Sequence, residues 1–466
     1  MKNRTIFWIL GAVFLVSSAL HFYRISYPAA PVFDEVHFAT YAADYAQGKP
    51  SFDIHPPLGK LILAGALVAS GYEPNERDSF VQIFPLRGGG FRAEPARDSF
   101  AGFPYLLLRA VSALFGAALP LFFYFFLRSV GLGTTTALLG AFFVAAENAL
   151  LLQTRFIFLD GMYLAFALAA LALYFSRPAS SELRRGERVP TWAAGAVFGL
   201  ALGVKLTAIT FVGPIVADVF FGAKSERRVV RRRVGIFVSV AALVCTASFV
   251  LGSAFVPPQE QRALWNAYGV FEEAVPATEV GSRALAVLQN VGIQMLISLS
   301  GYLGGTESRD DDAERTSRWY EWPFMRKPMP YHIGDGQSGG GIVFSGNRVV
   351  WGLSVVAVFV ALFSALVMFL RSARGKAMEI DRPKLLLGAG YLTSMLPFVF
   401  FVSRPTYPYH YLPALLFSIG LITWMLGREL GLAHGTPTAK QKRWLIAIAL
   451  AVLAGFFLAA PTTYGI

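Results

Sequence analysis

Hydrophobic residues gather in long runs with short polar punctuation, at 6–27, 105–127, 134–175, 191–223, 234–256, 347–370, 383–402, 411–427 and 443–460. A helix rising 1.5 Å per residue needs about 20 such residues to cross the hydrocarbon core. The strict alternation of a membrane β-barrel is absent. The pattern predicts an all-α polytopic membrane protein with about 11 transmembrane helices. The runs at 134–175 and 191–223 are each read as two crossings, because basic loops flank both ends: "SRPASSELRRGERVP" lies between them and "AKSERRVVRRR" follows the second. A single crossing would drive a cluster of arginines across the bilayer.

Charge then orients the chain. The net charge of +12 would suit a nucleic-acid binder, but the basic residues sit in short loops between apolar runs. That is the positive-inside pattern, and nucleic acid is excluded as a partner. Lys2 and Arg4 place the N-terminus in the cytoplasm, and the long apolar run behind them has no small-residue cleavage pattern, so it reads as an uncleaved first span. The protein is expected to be integral to the cytoplasmic membrane, with its working site on the external face. Three parts follow: an N-terminal transmembrane module at 1–256 with a first external loop at 28–104, an external segment at 257–346, and a C-terminal four-span module at 347–466. Cys245 is the sole cysteine, which rules out disulfides within the chain and cysteine metal clusters.

Charged residues inside apolar runs need a reason, since each costs from about 2.5 kcal/mol upward at the bilayer centre. On this topology Arg109, Glu147, Arg155, Asp160, Lys205, Arg404 and His410 all fall near the external ends of their spans. They share that level with the first-loop sequence "PVFDEVHFATYAADYAQGKPSFDIHPPLGK". Such convergence predicts a polar cavity opening outward. Individually, each could be an interface residue that snorkels.

Within the loop, "DEVHFATYAADYAQG" reads as a helix with Asp34 at its N-cap and a Gly48 stop. There Asp34 is expected to stay ionised and to serve as a general base, with Glu35 turned elsewhere to orient an acceptor. "HPPLGKLILAGALVASG" reads as a second short juxtamembrane helix. Lys60 in its first turn opposes the helix dipole unless an anion such as phosphate binds there. Asp34, Glu35, His37 and His55 could alternatively hold a divalent cation, although their spacing matches no metal signature.

These residues carry a resemblance. "FDEVHFATYAADYAQGKPSFDIHPPLGKLILA" closely resembles the first external loop of the protein O-mannosyltransferases. "LLLRAVSALFGAALPL", "ENALLLQTRFIFLDGMYLAF" and "GLALGVKLTAI" resemble their following spans. "RWYEWPFMRKPMPYH", "GNRVVWGLSVV" and "YHYLPAL" resemble their C-terminal four-span part. The resemblance implies a membrane glycosyltransferase of the GT-C fold. It implies an inverting transfer of a sugar, usually mannose, from a polyprenyl- or dolichyl-phosphate carrier in the membrane lipids to Ser or Thr hydroxyls of proteins. It implies Asp34 as catalytic base with Glu35 beside it, and Arg109 at the lipid-phosphate site. Lys60, Arg155 and Lys205 are expected to add to that phosphate site, and His55 and Asp160 to order the pocket. The chain departs from the eukaryotic pattern, because 257–346 is too short for a luminal β-trefoil domain. The acceptor therefore stays open between protein hydroxyls and a lipid or cell-envelope glycan. A transporter or flippase is a further alternative, disfavoured because inverted repeats are not seen.

Overall fold

A computed structural model describes residues 3–85, 91–176, 191–221, 227–267, 283–303, 315–334, 339–374, 380–432 and 437–466. The basic loops at 177–190, 222–226, 375–379 and 433–436 lie outside the described residues, as do parts of the 257–346 segment. Among the described residues the chain is helical apart from two short hairpins. Eight helices among the described residues are long and apolar enough to cross a bilayer, and nine if a bent pair counts as one crossing. The protein is a multi-pass membrane protein.

Helix α1 (Asn3–Phe22) is followed by the first loop, which folds as the sequence suggests. Helix α2 (Glu35–Gln47) ends at Gly48, whose φ of 68° closes the last turn in the left-handed region. Helix α3 (Leu58–Ala69) has only 12 residues, too few to cross. A hairpin of β1 (Val81–Pro85) and β2 (Phe91–Pro95) completes the loop before α4 (Tyr105–Ser129).

The run at 134–175 is broken twice. Helices α5 (Thr134–Ala145) and α6 (Asn148–Arg155) meet at a 60° bend, and α7 (Asp160–Phe175) starts after a short turn. The bend is filled by Glu147, which accepts hydrogen bonds from Ala149 N (3.1 Å), Asn347 N (3.1 Å) and Trp351 Nε1 (3.0 Å). The Asn347 amide donates to the Ala146 and Val452 carbonyls, both at 2.9 Å. One polar cluster thus bolts the C-terminal helices onto the N-terminal bundle.

Helix α8 (Thr191–Val204) is followed by Lys205 in extended backbone (φ −154°), a 3-10 turn (Leu206–Val212) and α9 (Gly213–Phe221). Gly195, Gly199 and Gly203, spaced four apart, let α8 lie directly on α10 (Arg227–Ala254). A Cβ at Gly195 or Gly199 would come within 2.6 Å of the Phe237 or Ala241 carbonyl. This is the small-residue packing that membrane helices use in place of a hydrophobic driving force.

The 257–346 segment contains more structure than its polarity suggests. After α11 (Pro258–Ala267) comes α12 (Arg283–Leu303), a 21-residue helix long and apolar enough to cross. Gln289, Asn290 and Gln294 interrupt its apolar pattern and give it a polar appearance in sequence. Both of its ends meet the ends of neighbouring helices. Arg283 reaches the Ala254 carbonyl at the end of α10, and the Leu303 carbonyl accepts from Ser403 N at 3.0 Å. Midway, Gln294 donates to the Asp53 carbonyl at 2.8 Å. Helix α12 therefore lies against the first loop. A second hairpin, β3 (Met329–His332) with β4 (Ile342–Phe344), leads into α13 (Arg348–Ala373), α14 (Arg382–Phe400), α15 (Leu412–Glu429) and α16 (Ala439–Tyr464).

Candidate active site

Asp34 and Glu35 are adjacent in sequence and opposite in circumstance. Glu35 is fully buried, and its two oxygens accept from Val32 N, Ile157 N and two nitrogens of Arg109 at 2.7–2.9 Å. Arg109, also fully buried, completes a bidentate pair with Glu35 and gives its remaining donors to the carbonyls of Ile25, Pro28 and Ala30. Its guanidinium rests 4.8 Å from the ring centroids of both Tyr105 and Phe156. A guanidinium has five N–H donors, and all five are used here. This geometry corrects two expectations. Glu35 is not free to orient an acceptor, and Arg109 has no donor left for a lipid phosphate. Together they clamp the exit of α1, the start of α2 and the α6–α7 turn in one register.

Asp34 sits at the N-cap position of α2, but its carboxylate caps nothing and accepts no hydrogen bond from the described residues. Half-buried, it is pushed by desolvation up to about 7; Lys205 and Arg404 draw it down, while Asp160 and Asp53 push it further up. The expectation of a fully ionised cap therefore fails, because burial outweighs the helix dipole. What results is a carboxylate with free lone pairs that titrates near neutrality.

The charges that act on Asp34 form two buried ion pairs and one freer cation. Lys60 Nζ bonds Asp53 Oδ2 at 2.6 Å and the His55 carbonyl at 2.8 Å. His55 N in turn donates to Asp53 Oδ1 at 3.1 Å, and its ring stacks on Phe38. Burial pushes the His55 ring down to about 3, so the imidazole is neutral. Lys205 Nζ bonds Asp160 at 3.1 and 3.3 Å. Gln153 donates to Asp160 Oδ2 at 3.1 Å and accepts from the Tyr331 hydroxyl. Arg404 is only half-buried, touches His410 Nε2 at 3.3 Å through Nη2, and leaves Nε without a partner. Phe33 stacks on Tyr331 with ring centroids 5.0 Å apart, and Tyr409 lies 5.3 Å from Lys205 Nζ.

The structure thus brings Asp34, His55, Lys60, Asp160 and Lys205 together. It adds Tyr331 and Tyr409, which carry no charge in a chain with 18 tyrosines and so give no sequence signal. Arg404 was legible only as a cation at an external turn. Arg155 goes elsewhere: it is buried between the Tyr464 and Phe156 rings, donates to the Tyr23 carbonyl, and does not join the Asp34 group. The divalent-cation alternative does not fit this donor set. Glu35 is saturated by N–H donors, and no group of three or more His, Cys, Asp or Glu side chains suited to a metal occurs among the described residues.

Comparison with known proteins bears on the family and the fold. Residues 11–223 match the family model for dolichyl-phosphate-mannose-protein mannosyltransferase. Residues 304–466 match that for the C-terminal four-transmembrane region of protein O-mannosyltransferase. Among curated relatives, the Saccharomyces cerevisiae dolichyl-phosphate-mannose–protein mannosyltransferase 1 is 26% identical over 314 residues, covering 63% of this chain and 35% of the yeast protein. The Drosophila melanogaster protein O-mannosyltransferase 1 is 31% identical over 204 residues, covering 43% of this chain and 21% of its own length. The chain thus spans about a third or less of these relatives. A chain of the S. cerevisiae Pmt1–Pmt2 complex, solved with sugar donor bound, superposes with a TM-score of 0.76 at 15% identity, covering 100% of this chain and 91% of that one. The Archaeoglobus fulgidus oligosaccharyltransferase superposes at 0.56 and 14% identity, covering 100% of this chain and 56% of that one. The fold is that of the GT-C membrane glycosyltransferases. Within that class, the chain belongs to the protein O-mannosyltransferase family.

Proposed function

We propose that the protein moves a mannosyl group from a polyprenyl- or dolichyl-phosphate carrier to Ser or Thr hydroxyls of proteins on the non-cytoplasmic face. The observation that carries this reading is the Asp34 carboxylate, unpaired and facing Lys205 and Arg404 within one polar cluster. Asp34 takes the proton of the acceptor hydroxyl as its oxygen attacks C1 of the sugar. The bond from C1 to the phosphate oxygen breaks, its electron pair leaves with the lipid phosphate, and the anomeric configuration inverts. A base of this kind contributes typically about 10²–10⁴ in rate.

The leaving phosphate needs cations. Arg404, half-buried and with no carboxylate partner among the described residues, has a guanidinium suited to bidentate contact and takes that role, and Lys205 adds its charge from the Asp160 pair. Lys60 is spoken for by Asp53 and fixes the loop behind the pocket. Glu35 and Arg109 are positioning residues, because they act through the backbone that carries Asp34. Arg404→Gln is expected to raise the donor KM about tenfold or more while leaving the thermal midpoint unchanged. A rise in KM accompanied by an equivalent loss of thermal stability would assign Arg404 to packing.

The side of action follows from the charge at the N-terminus. With Lys2 and Arg4 inside, α1 delivers Asp34 to the outer face. Taking the bent α5–α6 pair, α7, α8 and 206–221 each as one crossing, and α12 as lying along the interface, gives eleven crossings across the 1–256 and 347–466 modules. The function is tested by offering the purified full chain a panel of polyprenyl-phosphate sugars with a Ser/Thr peptide, followed by mass spectrometry. A hexose added to the peptide from the mannosyl donor supports the reading. Transfer only to a glycan or lipid acceptor would overturn the assigned acceptor.

A further inference from the structure

On the flank of the C-terminal helices lies a cavity of about 870 Å³ that contains none of the residues grouped around Asp34. Strand alternation separates the two sites. The Phe344 ring stacks with Tyr331, toward Phe33, while the neighbouring Val343 lines the cavity. Likewise Trp322 packs on Phe398 and His410, and the next two residues, Pro323 and Phe324, line the cavity.

The walls come from two membrane-spanning helices, near the start of α13 and the end of α16. Val355 and Leu458 contribute apolar side chains to the lining, and Gly352, where an added Cβ would meet nothing within 4 Å, leaves space along α13. Below it, both helices present large apolar side chains outward, including Phe359, Phe363 and Leu450. The mouth is polar and cationic. Arg348 is exposed there, Ser345 and Thr462 place hydroxyls 3.3 Å apart, and Arg326 stands over the Phe324 ring. No acidic residue lines the cavity.

We infer that this cavity is a binding site for one anionic phospholipid of the surrounding bilayer. The acyl chain lies along α13 and α16, and the phosphate meets Arg348 and the two hydroxyls at headgroup level. The walls favour a lipid because they continue into the exposed apolar surface of two helices long and apolar enough to span a bilayer. The mouth favours a negative headgroup because its charges are all of one sign, and each such residue near the bilayer surface contributes about 1 kcal/mol toward anionic lipid. The inference depends on the membrane-spanning fold and is independent of the chemistry assigned to Asp34.

The test uses the full chain purified from vesicles of equal parts phosphatidylglycerol and phosphatidylcholine, with retained lipid counted by native mass spectrometry. One phosphatidylglycerol is expected to be retained in preference to phosphatidylcholine. Arg348→Gln is expected to weaken that preference about fivefold. Gly352→Phe should abolish retention, since Gly352 lines the cavity and a Cβ there meets no atom within 4 Å, which leaves room for the ring to occupy the site. Arg348 is exposed, so its variant keeps the test open even if the bulky one does not fold. Equal retention of the two lipids, or retention indifferent to Arg348→Gln, would overturn the inference. So would binding of a Ser/Thr peptide that Gly352→Phe blocks while phosphatidylglycerol stays bound.

Discussion

Asp34→Asn is expected to lower sugar transfer by at least about a hundredfold while donor binding survives. Asparagine has nearly the same shape, and the Asp34 carboxylate makes no hydrogen bond that the fold would lose. The substitution therefore removes a base and little else. The cations assigned to the donor phosphate, Arg404 and Lys205, remain in place. Single-turnover transfer from labelled donor, alongside equilibrium donor binding by the same variant, separates the two effects. Transfer within a few-fold of wild type would remove Asp34 from the chemistry. Loss of donor binding in step with transfer would make it a binding residue instead.

The second large effect concerns stability. Glu35→Gln or Arg109→Leu alone is expected to destabilise the protein by about 3–5 kcal/mol, because either change strands a buried charge. The double variant should be much less damaged than the sum, since neither charge is then left alone. Activity should fall in the single variants even at temperatures where they stay folded, as the segment carrying Asp34 loses its anchor to Ile157 and to the Ile25–Ala30 carbonyls. Thermal midpoints of the four proteins, with donor KM on each, check this. If Arg109 instead met the donor phosphate, Arg109→Lys would raise donor KM with little change in thermal midpoint.

The contrast between these neighbours marks what the sequence could and could not convey. Membrane runs, the two short helices of the first loop and the level at which charges gather were all legible, since hydropathy and loop charge report them directly. The Gly48 stop and the break at Lys205 were legible too, because glycine and an isolated lysine are strong local signals. Pairing was not legible. Nothing in the spacing says that Arg109 meets Glu35, or that Lys60 turns back to Asp53 seven residues earlier, because those contacts depend on how distant segments pack. The same applies to Arg155, whose charge suggested the pocket and whose packing against Tyr464 takes it elsewhere. Asp34 was singled out for a reason that the structure revises. Its position at a helix start suggested a charge held by the dipole, whereas burial dominates and brings it to the neutral range. Helix α12 was hidden by its own amphipathicity, since a polar stripe on a helix lying over a loop looks like a soluble segment.

The most direct measurement is the pH dependence of single-turnover transfer. Below its pKa the Asp34 carboxyl is protonated and cannot accept the proton of the acceptor hydroxyl. The rate should therefore rise with pH through a limb centred at about 7, and the residual activity of Asp34→Asn should lack that limb. A wild-type limb at the ordinary carboxylate value of 3.8, or the same limb persisting in Asp34→Asn, would contradict the assignment of Asp34 as the base.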